Sequence, residues 1–421
     1  MKKLITFSVC LLLIATLAYS SGAEENEKET TLQVVLNQTW NKPSFEPGLR
    51  EYEEANPNIT IDLQVIPDEQ FTSLIKTRIA TEQYPDVYLD NFGQISQLYK
   101  VPDLLVDLGN EPWISRLLST DGVKVDGKIY GLPMNGTPSV EGFVYNKSVF
   151  EEVGVDVPTS YEEFITVCEK IKAAGIAPIA VTAKDNWTIG MWIIEIMPLV
   201  VMEKANIWDD LNTGAIRYNE IPEFTMAISR MKELILDKGF ANKDFLATTY
   251  DMGNDMVARG EAAMVVQGDW ACADIAKNYP EANIGMFPFP IVSNPRFTAG
   301  FTPAFTILKE SENVEEAKAL LEFLASPEQM KNVATDWGYV PAVTDVQVEL
   351  NPWIQDVVDN YISKGQSPIP EMGVTSIISI GELAKNATNM LTGSMSPIEV
   401  MTEWQIYFEE QATIRKLPGW N

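Results

Sequence analysis

Apolar and polar positions change period repeatedly along this chain. Residues 32–36 form a short apolar run of strand type. Residues 44–54 then carry Phe45, Leu49 and Tyr52 at helical spacing, and Asn56-Pro57-Asn58 ends the pattern. Residues 59–66 alternate as a strand does, residues 71–80 return to the helical period, and Tyr84-Pro85 breaks it before a strand at 86–89. Strand and helix in this order and spacing predict a parallel sheet covered by helices.

The middle of the chain has sharper punctuation. Residues 123–130 read as a hairpin, because Asp126-Gly127 supplies the positive φ angles of a type I′ turn. A strand follows at 142–145. Thr159 with Glu162 predicts a capping box, and Tyr161, Phe164, Ile165, Cys168 and Ile171 form the apolar face of the helix it opens. Gly175 ends that helix and residues 176–181 run as a strand. A helix is predicted over 224–236 and strands over 262–266 and 284–289, with Pro288 and Pro290 marking an edge. Ser326-Pro327-Glu328-Gln329 and Ser396-Pro397-Ile398-Glu399 each combine a capping serine with proline at the first helical position. No internal repeat is present. At 421 residues the chain is too long for one ordinary core, so two lobes are expected.

The N-terminus belongs to no such element. Met1-Lys2-Lys3 is a basic start, residues 4–18 are almost wholly apolar, and Ser21-Gly22-Ala23 places small residues before an acidic stretch. This predicts an export signal over residues 1–23, with a retained membrane anchor as the alternative. The apolar run is shorter than the roughly 20 residues of a span. Ser20 stands where a lipoprotein would have its cysteine, which argues against lipidation.

Charge and composition narrow the chemistry. With 31 basic and 59 acidic residues, and no basic patch, the chain repels nucleic acid and anionic membranes. Histidine is absent, which excludes Ser-His-Asp and Cys-His catalysis and every histidine-containing metal site. Beyond the leader only Cys168 and Cys272 remain, at no metal spacing. They can form one disulfide in an oxidising compartment, but the place of Cys168 on an apolar helix face favours a buried thiol.

Six motifs in order carry a family resemblance. They are Tyr52-Glu53-Glu54-Ala55-Asn56-Pro57; Tyr84-Pro85-Asp86-Val87-Tyr88; residues 126–133 followed by Val144-Tyr145-Asn146-Lys147; Pro158 to Phe164; Gly260 to Trp270; and Phe323 to Glu328. Together they resemble the family 1 extracellular solute-binding proteins of ABC transporters, a maltose-binding-protein-like group. The resemblance implies an α/β, two-lobed, periplasmic-binding-protein-like (type II) fold with a hinge crossed more than once, near Pro138, Thr298 and Pro341. Lobe 1 would hold residues 24–138 and 299–341, and lobe 2 residues 139–298 and 342–421. It implies a monomer in the extracytoplasmic space that closes on a sugar and docks on membrane permease subunits, with no cofactor.

A sugar presents apolar C–H faces to aromatic rings and hydroxyls to polar groups, so its cleft should combine both. The resemblance makes Trp270, in the loop after the 262–266 strand, the leading stacking ring. It also points to Asp269 beside it, to Trp40 and Asn41 after the first strand, to Asp90 and Asn91 at the end of another, and to Gly300 and Phe301 at the second crossing. Position alone adds Glu141, Trp187, Trp337 and Met372. Each has a plainer reading: a helix cap for Asp269 and Asn91, a core or hinge ring for the tryptophans. A non-sugar solute such as a polyamine or peptide, and a carbohydrate-active hydrolase with two carboxylates, remain the alternatives.

Overall fold

The computed structural model describes residues 29–420 apart from 137–138, 205, 301, 367, 371 and 373–376. The export signal expected over residues 1–23 lies outside the described residues.

β1 (Thr30–Asn37) pairs in parallel with both β2 (Ile59–Ile66) and β3 (Val87–Asn91). The helices Phe45–Ala55 and Asp68–Ala80 make the crossovers that parallel neighbours require. A two-stranded hairpin follows, β4 (Lys124–Val125) and β5 (Lys128–Ile129). Its turn residues Asp126 and Gly127 have φ of 50° and 80°, as the sequence predicts for type I′. β6 (Leu132–Pro133) then joins the first sheet through β12 (Pro303–Ile307), a strand from much later in the chain, giving the order β2-β1-β3-β12-β6.

The second sheet is built around β7 (Val140–Asn146). β9 (Ala262–Gly268) runs antiparallel along one edge of β7, and β8 (Ala177–Ala180) lies parallel beyond it. β10 (Ile284–Phe287) and β11 (Thr298–Ala299) take successive stretches of the other edge, and β13 (Ile369–Pro370) pairs with β11. Among the described residues the result is an α/β protein with two large sheets, between which the chain passes three times, and the small β4–β5 hairpin.

Both sheets are covered on both faces. In the first, Val34 and Leu36 pack with Leu320 and Trp337 on one side, while Val35 packs with Phe71 and Tyr88 on the other. This is why β1 reads as a continuous apolar run instead of an alternating one. In the second, Phe143, Met264 and Val266 face the helix Asn186–Val201, and Val144 and Val265 face the helices Asp269–Asn278 and Pro352–Asn360. Each fully buried side chain of this size stabilises the fold by about 1.5–3 kcal/mol. Cys168 and Cys272 belong to the clusters on opposite faces of this second sheet, and both are free and buried.

Local signals set most boundaries to within a few residues, with three corrections. The capping box of the Tyr161–Ala173 helix is displaced by one residue. Ser160 accepts from the Glu163 amide, and Glu163 in turn accepts from Thr159. The helix Asn186–Val201, which the sequence pattern does not reveal, is buried on nearly every side and so has no polar stripe. At the crossings, Ala299 pairs with β7 in the second sheet, and Ala342, Val343 and Val346 pack in the first core. The boundaries expected at 299 and 342 therefore shift, by one residue or so and by several. The crossing near Pro138 lies outside the described residues.

Candidate ligand-binding site

Ligands of open α/β sheets bind beyond the carboxyl ends of the parallel strands. Here a cleft of about 610 Å³ opens between the two sheets. Phe92, Lys124, Asn135 and Gly136 line it from the side of the first sheet, and Ala299, Gly300 and Pro370 from the side of the second. Of the expected site residues, Gly300 is the one among the described residues that lines this cavity directly.

Gly300 leads to a polar group that the strand register assembles. Glu141, on β7, lies between Gly268 of β9 and Thr298 of β11. Thr298 Oγ1 donates to Glu141 Oε2 at 3.3 Å. A Cβ on Gly300 would fall 2.4 Å from Glu141 Oε1 and 2.7 Å from Ser139 Oγ, so only glycine lets this buried carboxylate sit against the cleft wall. On the other flank the Trp270 ring folds back over Gly268, where a Cβ would lie 2.0 Å from it. Trp270 is half-buried and packs against both cores of the second sheet. The strand order thus puts the Glu141 carboxylate beside Gly268 at the end of β9, and Trp270 follows in the first turn of the helix Asp269–Asn278, not in the loop that the sequence suggests.

A second group forms at the hinge. Trp40 is half-buried, with its ring centroid 6.2 Å from that of Trp337, and Trp337 lies 5.7 Å from Tyr339. Trp337 is buried and packs in the first core, as a hinge ring does. The Tyr339 hydroxyl donates to Asp269 Oδ1 at 2.8 Å, and the Val140 amide donates to Asp269 Oδ2 at 3.4 Å. Asp269 therefore ties the third crossing to the strand that follows the first. Burial pushes its carboxyl up to about 7, against the hydrogen bonds from Tyr339 and Val140 that pull it down. Lys42 lies 5.3 Å over the Trp337 ring. Burial lowers its ammonium, and Asp274 and Asp336 partly restore it.

The remaining expected residues are scattered. Asn41 is exposed. Asn91 caps the helix Phe92–Leu98 by accepting from the Gly93 and Gln94 amides, so the plainer reading holds for it. Asp90 is buried, and the Tyr88 and Tyr99 hydroxyls are pushed up first by their own burial and then by the Asp90 charge. Trp187 is 37 % exposed and packs on Tyr250 with centroids 5.2 Å apart. Met372 is fully buried in the second-sheet core and does not line the cleft, because its apolar chain fills space behind β7. Phe301 lies outside the described residues.

The family described as bacterial extracellular solute-binding protein matches residues 25–331. The chain belongs to this family. Among curated relatives of this solute-binding protein are the multiple sugar-binding protein of Streptococcus mutans, 23 % identical over 90 % of this chain and 93 % of that one. The melibiose/raffinose/stachyose-binding protein MelE of Bacillus subtilis is 22 % identical over 81 % and 80 %. Among solved structures, a Bacillus subtilis binding protein, MsmE, in an open conformation superposes with a TM-score of 0.79 at 19 % identity, covering 92 % of this chain and 99 % of that one. The solute-binding protein RafE in complex with raffinose gives 0.74 at 22 % identity, covering 91 % and 100 %.

Two polar groups of this solute-binding protein escape sequence reading. Tyr339 carries its signal only in three dimensions, since its partner Asp269 is seventy residues away. Glu195, in the Asn186–Val201 helix, gives no signal beyond one acid in an apolar run. Among the described residues no group of His, Cys, Asp or Glu is arranged to hold a metal, and no helix is long and apolar enough to cross a membrane.

Proposed function

We propose that this protein is the extracytoplasmic substrate-binding subunit of an ABC importer, capturing a mono- or oligosaccharide between its two sheets and passing it unchanged to the permease. The observation that supports the reading is the cleft of about 610 Å³ between the two sheets, with the buried Glu141 carboxylate set behind Gly300 on its wall and the Trp270 ring over Gly268 of the neighbouring strand. An indole face suits the C–H face of a pyranose, and a carboxylate suits its hydroxyls. The names of the relatives, which include binders of multiple sugars, melibiose, raffinose and stachyose, support the same class.

In this reading residues 1–23 are a cleaved export signal, and the mature chain works as a monomer without cofactor, nucleic acid or catalysis. The lobes divide near residue 138, just after Ala299, and beyond Val346. The net charge of −28 leaves a cationic solute as the rival ligand.

A thermal-shift screen separates the two. Raffinose, stachyose, melibiose, galactose and chitin oligosaccharides form one arm; spermidine and short peptides form the other. At one hundred times its Kd a ligand adds about 2.7 kcal/mol, or about 3 °C for a chain of this length. A saccharide should give that rise without being hydrolysed. Trp270→Ala should then weaken binding about tenfold while the protein still unfolds cooperatively. A rise with spermidine or peptide alone would refute the carbohydrate assignment.

A further inference from the structure

Asn135 lines the cleft and is only 4 % exposed, and its Oδ1 is buried with no hydrogen-bond partner among the described residues. A buried amide of this kind is costly, and amides that serve a fold are paired within it. Asn135 therefore calls for a partner that arrives from the cleft.

The fold holds this residue firmly in place. Just beyond β6, the Met134 amide donates to the Pro303 carbonyl at 2.9 Å, and the Gly136 amide donates to the Val340 carbonyl at 2.8 Å. A Cβ on Gly136 would fall 2.0 Å from the Pro341 carbonyl oxygen, so the third crossing packs directly on this backbone. Asn135 is thus clamped on both sides, by β12 and by the hinge. β6 pairs with β12 at Leu132–Phe305 and Pro133–Ala304. Continued by two residues, that register sets Asn135 opposite Thr302, which is also buried and also lines the cleft. The backbone is fixed, but no hydrogen bond opposes a half-turn of the Asn135 amide, which exchanges its carbonyl and NH2 ends.

The rest of the lining indicates what completes this pair. Pro368 and Pro370 give the cleft apolar surface. Among the described residues its charged lining is one acid, Asp121, and one base, Lys124, both exposed. The net charge of −28 is therefore not concentrated there. An amide donates and accepts, as a hydroxyl does, whereas an ammonium only donates.

We propose that Asn135 is a specificity-determining residue for the ligand: with Thr302 opposite, its amide takes a hydroxyl of a neutral, polyhydroxylated ring whose C–H face rests on Pro368 and Pro370. A cationic solute leaves half of that amide unmatched and meets Lys124. A ring that lacks the hydroxyl leaves the amide buried and unpaired, which is how a cleft rejects a near-isostere.

This inference rests on the carbohydrate reading, and one set of titrations tests both. Raffinose, stachyose, melibiose, galactose and chitin oligosaccharides are titrated by calorimetry into wild type, Asn135→Leu and Asn135→Ala, and the Tm of each protein is read without sugar. Leucine matches asparagine in size and makes no hydrogen bond; alanine does the same without crowding the wall. The saccharide that wild type binds should bind both variants about tenfold more weakly or worse. The sugar-free Tm of Asn135→Leu should hold or rise by about 1–3 °C, since a buried group without a partner has been removed. An amide that serves the fold would lower it. Wild-type affinity in either folded variant overturns the inference. So does a Tm that falls in both variants. A wild-type protein that binds none of these saccharides refutes the carbohydrate reading itself, and the inference falls with it.

Discussion

Replacing Tyr339 with phenylalanine should destabilise the protein more at pH 8 than at pH 5, because the lost hydroxyl holds a buried carboxylate whose proton comes off near neutrality. Asp269 sits at about 7 in the folded protein against an ordinary 3.8. The unfolded chain therefore gives up its proton first as pH rises. Stability contributed by this group is complete below about pH 4 and is lost between there and about pH 7. The span of roughly three pKa units corresponds to about 4 kcal/mol. The Tyr339 hydroxyl, 2.8 Å from Oδ1, limits that loss by favouring the charged form. At pH 5 the variant gives up a neutral hydrogen bond, about 1 kcal/mol. At pH 8 it gives up a hydrogen bond to a charge, about 2–3 kcal/mol. Urea unfolding of both proteins at the two pH values measures the difference directly. Equal destabilisation at both would mean that Asp269 keeps one protonation state from pH 5 to pH 8, and the account of the hinge contact would be wrong.

Two further outcomes follow from geometry alone. Gly300→Ala places a methyl where Glu141 Oε1 and Ser139 Oγ now lie, so it should displace that carboxylate and weaken saccharide binding about tenfold; calorimetry at neutral pH that finds wild-type affinity would remove Glu141 from the site. Cys168 and Cys272 are both buried, and burial raises both thiols. They should resist a thiol reagent in native buffer and react together in denaturant, with no change in mobility on reduction.

What the sequence discloses and what it hides follow one physical line. Signals confined to a few neighbouring residues survive into the structure: the Asp126-Gly127 turn, the Ser326 and Ser396 caps with their following prolines, the strand over 59–66. Trp270 falls in the first turn of the helix Asp269–Asn278 instead of the expected loop, because β9 runs straight into that helix. Groups whose meaning lies in a distant partner are not found. Tyr339 matters only because the fold brings Asp269 to it, and Met372 misleads because position along the chain says nothing of depth in a core. Asn91 shows a further limit, since a polar residue ending a strand serves a cap as readily as a ligand.

The first sheet has an unusual delivery schedule. β12 is the strand that joins β6 to β3, and it is encoded at residues 303–307, after the whole central part of the second sheet. A nascent chain emerging from the ribosome N-terminus first holds β1, β2 and β3 while β6 waits, edge unpaired, for some 170 residues of synthesis, which at typical speed is about ten seconds or more. Through that interval the N-terminal third has no completed core to bury. The sheet closes only once β12 has been made.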